Sequence, residues 1–194
     1  MAGDTRDRMI DATVAALQRH GVAGMSFTEI LASSGAARGA IYHHFPGGKA
    51  QLVAEAAARN GDDVRAHLAG LPADSPSAVV DAFLALIRPV VAAAADGCGC
   101  AVAAATLGAD PAAPPAPGTD DDALRRVAAA AFGSWTEELT GRLTSAGMPL
   151  AEAADLATTL ITLLEGAQIL CRAAGTLEPF DKAARTAATL ARVR

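Results

Sequence analysis

Arg38, Tyr42 and His43 stand close together in the chain, with Thr28 before them and Lys49 after. None of these side chains performs covalent chemistry alone, but as a set they are hydrogen-bond donors suited to an anion. A guanidinium forks onto two acceptors, hydroxyls donate once each, and an ammonium adds a compact charge. Arg38 and Tyr42 are separated by one helical turn, so on a helix they share a face. Phosphate oxygens and the acceptor edge of guanine are the partners that such a face fits. For Arg38 and Lys49 taken singly, the plainer reading as solvated charges stays open. His44 reads better as a packing residue and Glu29 as a helix cap.

Other chemistries find little support. There are no paired carboxylates, no nucleophile beside a base and no glycine-rich phosphate loop, so no catalytic residue and no cofactor is assigned and an enzyme is not expected. Cys98-x-Cys100 lacks the further ligands that a closed zinc site needs. These two read as buried small hydrophobes, and with Cys171 they make an odd count that does not suit a secreted disulfide scaffold. The adjacent His43 and His44 do not share a helix face, so no metal site is assigned there either.

The elements that position the donor set are helical. Alanine dominates a hydrophobic fraction of 52%, with 4% aromatic, and alanine has the highest helix propensity. Ile10, Val14 and Leu17 mark a first helix over about 5–20, closed by Gly21. Ser26 and Glu29 predict a capping box, with Met25 and Ile30 as its hydrophobic staple. The second helix therefore starts at Ser26 and ends near Ser34, before Gly35. A third spans Ala37 to Phe45, with Ile41 and Phe45 inward, and is broken by Pro46-Gly47-Gly48. A fourth runs from Lys49 to Leu71, and Pro72 to Pro76 is a loop.

Further on, a fifth helix over 76–95 contains Pro89, where a kink is expected, and a short sixth covers 100–107. A proline-rich loop at 110–118 follows, then Thr119 as a cap ahead of Asp120, Asp121 and Asp122 at the positive end of a seventh helix. The eighth, 149–174, is apolar on several faces, and a ninth starts near Pro179. The expectation is an all-α protein of about nine helices.

Net charge is −5 over 194 residues, which argues against indiscriminate coating of nucleic acid. Within residues 1–50, Arg6, Arg8, Arg19, Arg38 and Lys49 against Asp4, Asp7, Asp11 and Glu29 leave +1. That sign fits a reading face on an acidic body. Charges run through the first twenty residues, so no secretory apolar segment is expected. No uncharged apolar run approaches the ~18–20 residues of a membrane span. A soluble cytoplasmic protein without a membrane partner is the expectation.

Two short helices joined by a tight glycine-containing turn form a helix-turn-helix pattern. The stretch Phe27-Thr28-Glu29-Ile30, Ser34-Gly35, then Arg38-Gly39-Ala40-Ile41-Tyr42-His43-His44-Phe45 and Lys49 resembles the N-terminal domain of the TetR family of bacterial repressors over about residues 5–55. Pro46-Gly47-Gly48-Lys49 and Gly97-Cys98-Gly99-Cys100-Ala101-Val102-Ala103 look like its LmrA/YxaF-like branch. The resemblance implies an N-terminal DNA-binding domain over 1–48 and a ligand-binding and dimerisation domain over 49–194, with helix 4 (49–71) connecting them. It implies that Thr28, Arg38, Gly39, Tyr42, His43 and Lys49 contact double-stranded DNA. A dimer would read a pseudo-palindromic operator, and a small, mostly apolar effector would release it.

The candidate pocket residues are Phe83, Ile87, Trp135, Leu139, Leu160, Leu164 and Gln168, each equally readable as core. Gly166, Leu163 and Leu170 are candidates for a homodimer interface, with internal packing of Gly166 as the alternative. The sequence departs from the family at Ala37, where a Ser or Thr cap is usual. A helical small-molecule or lipid-binding protein that has lost specific DNA binding is the competing reading, and an activator or architectural protein is not distinguished from a repressor.

Overall fold

The computed structural model describes residues 2–106 and 121–192. Among them are nine helices and no strand: α1 (Ala2–Gly24), α2 (Phe27–Ser34), α3 (Ala40–His44), α4 (Gly48–Ala69), α5 (Pro76–Ala95), α6 (Ala101–Thr106), α7 (Asp121–Ser145), α8 (Leu150–Ala174) and α9 (Glu178–Arg192). The proline-rich loop at 110–118 and the Thr119 cap lie outside the described residues. Two compact units are present, one built from residues 1–62 and 100–131, the other from 63–99 and 132–194. Helices α4 and α7 each contribute to both.

In the first unit, α1 breaks at Gly21, whose φ of 64° lies in the left-handed region that side chains disfavour. Beyond the break the chain turns into α2. Met9, Leu17 and Val22 of α1, Ile30 of α2, Ile41 and Phe45 of α3, and Leu52 and Val53 of α4 are buried in one core. Met25 joins it from the loop before α2. Helix α6 packs on α1 and adds Ala101 and Ala105 to the same core. Its start is capped by Cys100, whose sulfur accepts the Ala103 amide at 3.3 Å. Cys98 and Cys100 are half-buried, and Cys171 alone is fully buried. Cys100 is therefore a cap, a role that its apolar character did not announce.

In the second unit, α5 packs against α8 and α9, and α8 against α9. Ser75 caps α5 by accepting the Ala78 amide at 3.1 Å, with Pro76 in the first turn, where its missing N–H costs nothing. Helix α5 continues through Pro89, which is exposed, as is Ala85, whose carbonyl the proline deprives of a donor. Open to solvent, that carbonyl is not left buried without a partner, so the helix can continue past the proline. Two clamps hold α9 on α5: Arg88 to Asp181 at 2.7 Å and Arg192 to Asp81 at 3.1 Å.

By length and composition α5 and α8 are apolar enough to cross a membrane. Within this unit their apolar faces are instead buried together: Val79, Val80, Phe83 and Ile87 on α5, Ala153, Ala157, Leu160 and Leu164 on α8.

Candidate nucleic-acid interface

The turn between α2 and α3 sets the geometry. Ser26 accepts the Glu29 amide at 3.2 Å, so half of the expected capping box is present. The other half is not: the Glu29 carboxylate faces His20 instead, at 3.2 Å. Helix α2 ends at Gly35, with φ 66° and ψ 20°, a left-handed cap in which the Ala36 amide donates back to the Leu31 carbonyl at 3.2 Å. Arg8 reaches from α1 to the Ser34 carbonyl at 2.9 Å and fixes this end of α2.

Helix α3 is shorter than the spacing predicts, beginning at Ala40 and not at Ala37. Residues before it form a turn in which the Ala40 amide donates to the Ala37 carbonyl at 2.9 Å. Gly39 occupies the cap position and offers no side-chain acceptor. With Ala37 and Gly39 ahead of it, nothing on the side chains rewards an earlier helical start.

Thr28, Arg38, Gly39, Tyr42 and His43 are all exposed. The Tyr42 ring meets the Phe27 ring edge to face, with centroids 6.2 Å apart. This contact joins α3 to the first turn of α2, so Tyr42 is held although it is 67% exposed. Among the described residues, the Thr28 side chain, the Arg38 guanidinium and the Tyr42 hydroxyl make no hydrogen bond or ion pair. The His43 and His44 rings meet edge to face, with centroids 4.9 Å apart.

Lys49 differs from the rest of the set. It is half-buried, and its Nζ donates to the Met25 carbonyl at 3.0 Å, tying the start of α4 to the loop before α2. Burial pushes its pKa below the ordinary lysine value. Two of its three N–H donors remain for a further acceptor.

A support network that the sequence did not reveal lies behind the turn between α3 and α4. Arg6 of α1 pairs with Glu55 of α4 and lies over the Phe45 ring at 5.2 Å. Gln51 donates to Glu55 at 2.9 Å, and its Oε1 accepts the Gly47 amide at 2.8 Å. Only the Gln51–Glu55 spacing was visible in the sequence; the link to Arg6 crosses a separation that no local pattern encodes.

In the second unit, all seven candidate pocket residues are buried, Gln168 included. Leu163 and Gly166 are half-buried and Leu170 is 58% exposed. A Cβ placed on Gly166 would meet nothing within 4 Å, so the isolated chain leaves open space there. Ile169, next to Leu170, is 70% exposed.

Residues 9–56 match the family described as bacterial regulatory proteins, tetR family, and residues 76–186 match the LmrA/YxaF-like transcriptional regulator C-terminal domain. An uncharacterised HTH-type transcriptional regulator of Mycobacterium tuberculosis is 30% identical, over 91% of this chain and 88% of that one. LmrA of Bacillus subtilis is 27% identical, over 87% and 86%. A TetR regulator from Chloroflexus aurantiacus, solved by crystallography, superposes with a TM-score of 0.72 at 26% identity, covering 97% of this chain and 94% of that one. A TetR-family regulator from Cytophaga hutchinsonii superposes at 0.77 with 23% identity, covering 97% and 94%, a likeness of fold. The chain belongs to the TetR family of bacterial transcriptional regulators, in its LmrA/YxaF-like branch, with the helix-turn-helix carried by α2 and α3.

Proposed function

We propose that the protein is a repressor that binds a pseudo-palindromic operator as a homodimer and is released by a small, mostly apolar effector. The observation that carries this is an exposed donor set with no hydrogen bond or ion pair among the described residues: the Thr28 hydroxyl on α2, the Arg38 guanidinium in the turn before α3 and the Tyr42 hydroxyl on α3. Donors left without intramolecular partners, on elements braced from behind, are what a phosphate or base edge engages without first breaking a bond. His43 lies in the same exposed stretch. Gly39 lets the DNA backbone come close, and Lys49 adds a donor at the first turn of α4, where the helix dipole favours an anion.

Residues 1–48 act as the reader and 49–194 as the ligand-binding and dimerising part, with α4 connecting them. The buried set from Phe83 to Gln168 supplies the effector site, and Gly166, Leu163 and Leu170 supply the dimer face. Two recognition helices in such a dimer stand about one DNA turn apart, roughly 34–36 Å. Effector binding lowers operator affinity by a coupling of ~1–3 kcal/mol. The protein acts in the cytoplasm, where its operator lies, and needs neither cofactor nor membrane.

Selection of bound sequences from a random duplex pool tests this reading. Enrichment of a two-fold-symmetric motif with half-sites about one turn apart is the expected result. No enrichment at low salt would overturn it, in favour of a helical small-molecule-binding protein.

A further inference from the structure

We propose that Gln168 is the hydrogen-bonding contact for the effector, which is therefore an apolar molecule carrying an O–H or N–H donor. This rests on the ligand-responsive reading above and narrows it to a chemical class. Gln168 lies one turn beyond Leu164 and two beyond Leu160, on the buried face of α8, and is 5% exposed. Its Nε2 reaches Glu165 Oε1 at 3.5 Å, the long limit of a hydrogen bond. Its Oε1 is buried and has no hydrogen-bond partner among the described residues.

Chemistry fixes which end of the amide is unpaired. The NH2 group donates toward a Glu165 carboxylate oxygen, and the carbonyl oxygen is the end left without a partner. What Oε1 lacks is a donor.

Packing alone gives no reason for a glutamine here. Leu160, Leu164, Ala167 and Cys171 are buried on the same face, and a leucine of similar volume would avoid the unpaired acceptor. Native chains keep few buried acceptors unpaired, and those they keep call for an explanation. Arg172 donates to the Gly97 carbonyl, which places the last turns of α8 beside the end of α5. Gln168 lies one turn before Arg172 on the same helix, and α8 packs against α5. Beside the Glu165 carboxylate, the apolar face of α8 then offers a ligand the unpaired Gln168 Oε1 as an acceptor. A molecule that presents O–H or N–H gains a bond in a place poor in water, whereas its methyl ether gains none.

The test uses the full chain and matched probes: primary alcohols from hexanol to dodecanol, each paired with its methyl ether. Binding is followed by calorimetry and by the fluorescence of Trp135, the sole tryptophan, buried in the same unit. At least one alcohol is expected to bind about tenfold more tightly than its ether. In Gln168→Leu and Gln168→Met that preference falls to within about twofold, with thermal midpoints at or above that of the wild type.

No alcohol preferred over its ether, as a water resident at Oε1 would give, overturns the proposal. So does a preference that survives both substitutions. If ligands release operator DNA without any dependence on Gln168, this inference fails and the repressor reading stands. A Gln168-dependent preference without effect on DNA binding has the opposite meaning.

Discussion

The Phe27 and Tyr42 rings meet edge to face, their centroids 6.2 Å apart and their planes at 89°. Phe27 opens α2 and Tyr42 lies in α3, so this aromatic contact braces the two helices that form the reading head against each other. It also separates two roles of Tyr42. The ring braces, and the hydroxyl is free to donate.

Those roles come apart by mutation. Tyr42→Phe keeps the ring contact and should leave stability within ~0.5 kcal/mol of wild type, while operator affinity falls about tenfold, uniformly across sequences. Tyr42→Ala should lose a further ~0.5–1.5 kcal/mol of stability, the worth of an aromatic pair. Urea unfolding and a DNA titration on the same preparations separate the two effects. Equal affinity for Tyr42→Phe and wild type would remove the hydroxyl from the interface.

Arg38 makes no intramolecular bond, so Arg38→Ala should change stability by less than ~0.5 kcal/mol. If it reads a guanine edge, the cost in binding is ~1–3 kcal/mol and specificity relaxes at one operator position. If it clamps a phosphate, all sequences weaken alike. Selection repeated with the variant shows which of these holds, and a fall in thermal midpoint of several degrees would show that Arg38 is structural.

Lys49 gives a pH dependence with a definite sign. Burial lowers its pKa in the folded chain, so between that lowered value and the ordinary lysine value the unfolded chain binds more protons. Stability contributed by this group therefore rises as pH increases through that window. The stability of wild type relative to Lys49→Met should grow on the alkaline side, measured by denaturant unfolding across pH. A difference that stays flat or shrinks would mean that Lys49 is not desolvated in solution.

Ile169 and Leu170 are exposed beside the open space in front of Gly166. Ile169→Glu with Leu170→Glu should convert a dimer to a monomer in sedimentation, with little loss of helix content, because neither side chain is part of the buried core. A dimer that persists would place the interface elsewhere.

Legibility followed the range of the interactions. Local signals were legible: α5 starts at Pro76 and α2 closes at Ser34-Gly35, both where the sequence places them, although the Ser75 cap itself was not anticipated. The recognition helix was overextended because Ala37-Arg38-Gly39 contains no cap and no strong stop, and hydrogen bonding alone decides its start. Long-range features were hidden. Nothing near Glu55 in sequence points to Arg6, and nothing near Lys49 points to the Met25 carbonyl. Gln168 was legible as an inward residue from its spacing with Leu164, but its unpaired oxygen emerges only once its neighbours are in place.

The central claim is that the exposed donors of α2, of α3 and of the turn between them meet DNA. On the duplex recovered by selection, fluorescence anisotropy across a range of salt concentrations should be compared for wild type and the Arg38→Ala/Tyr42→Ala double variant. The account predicts an affinity loss of about 100-fold and a salt dependence shallower by about one released counterion per lost phosphate contact. Affinity and salt slope equal to those of the wild type would contradict it.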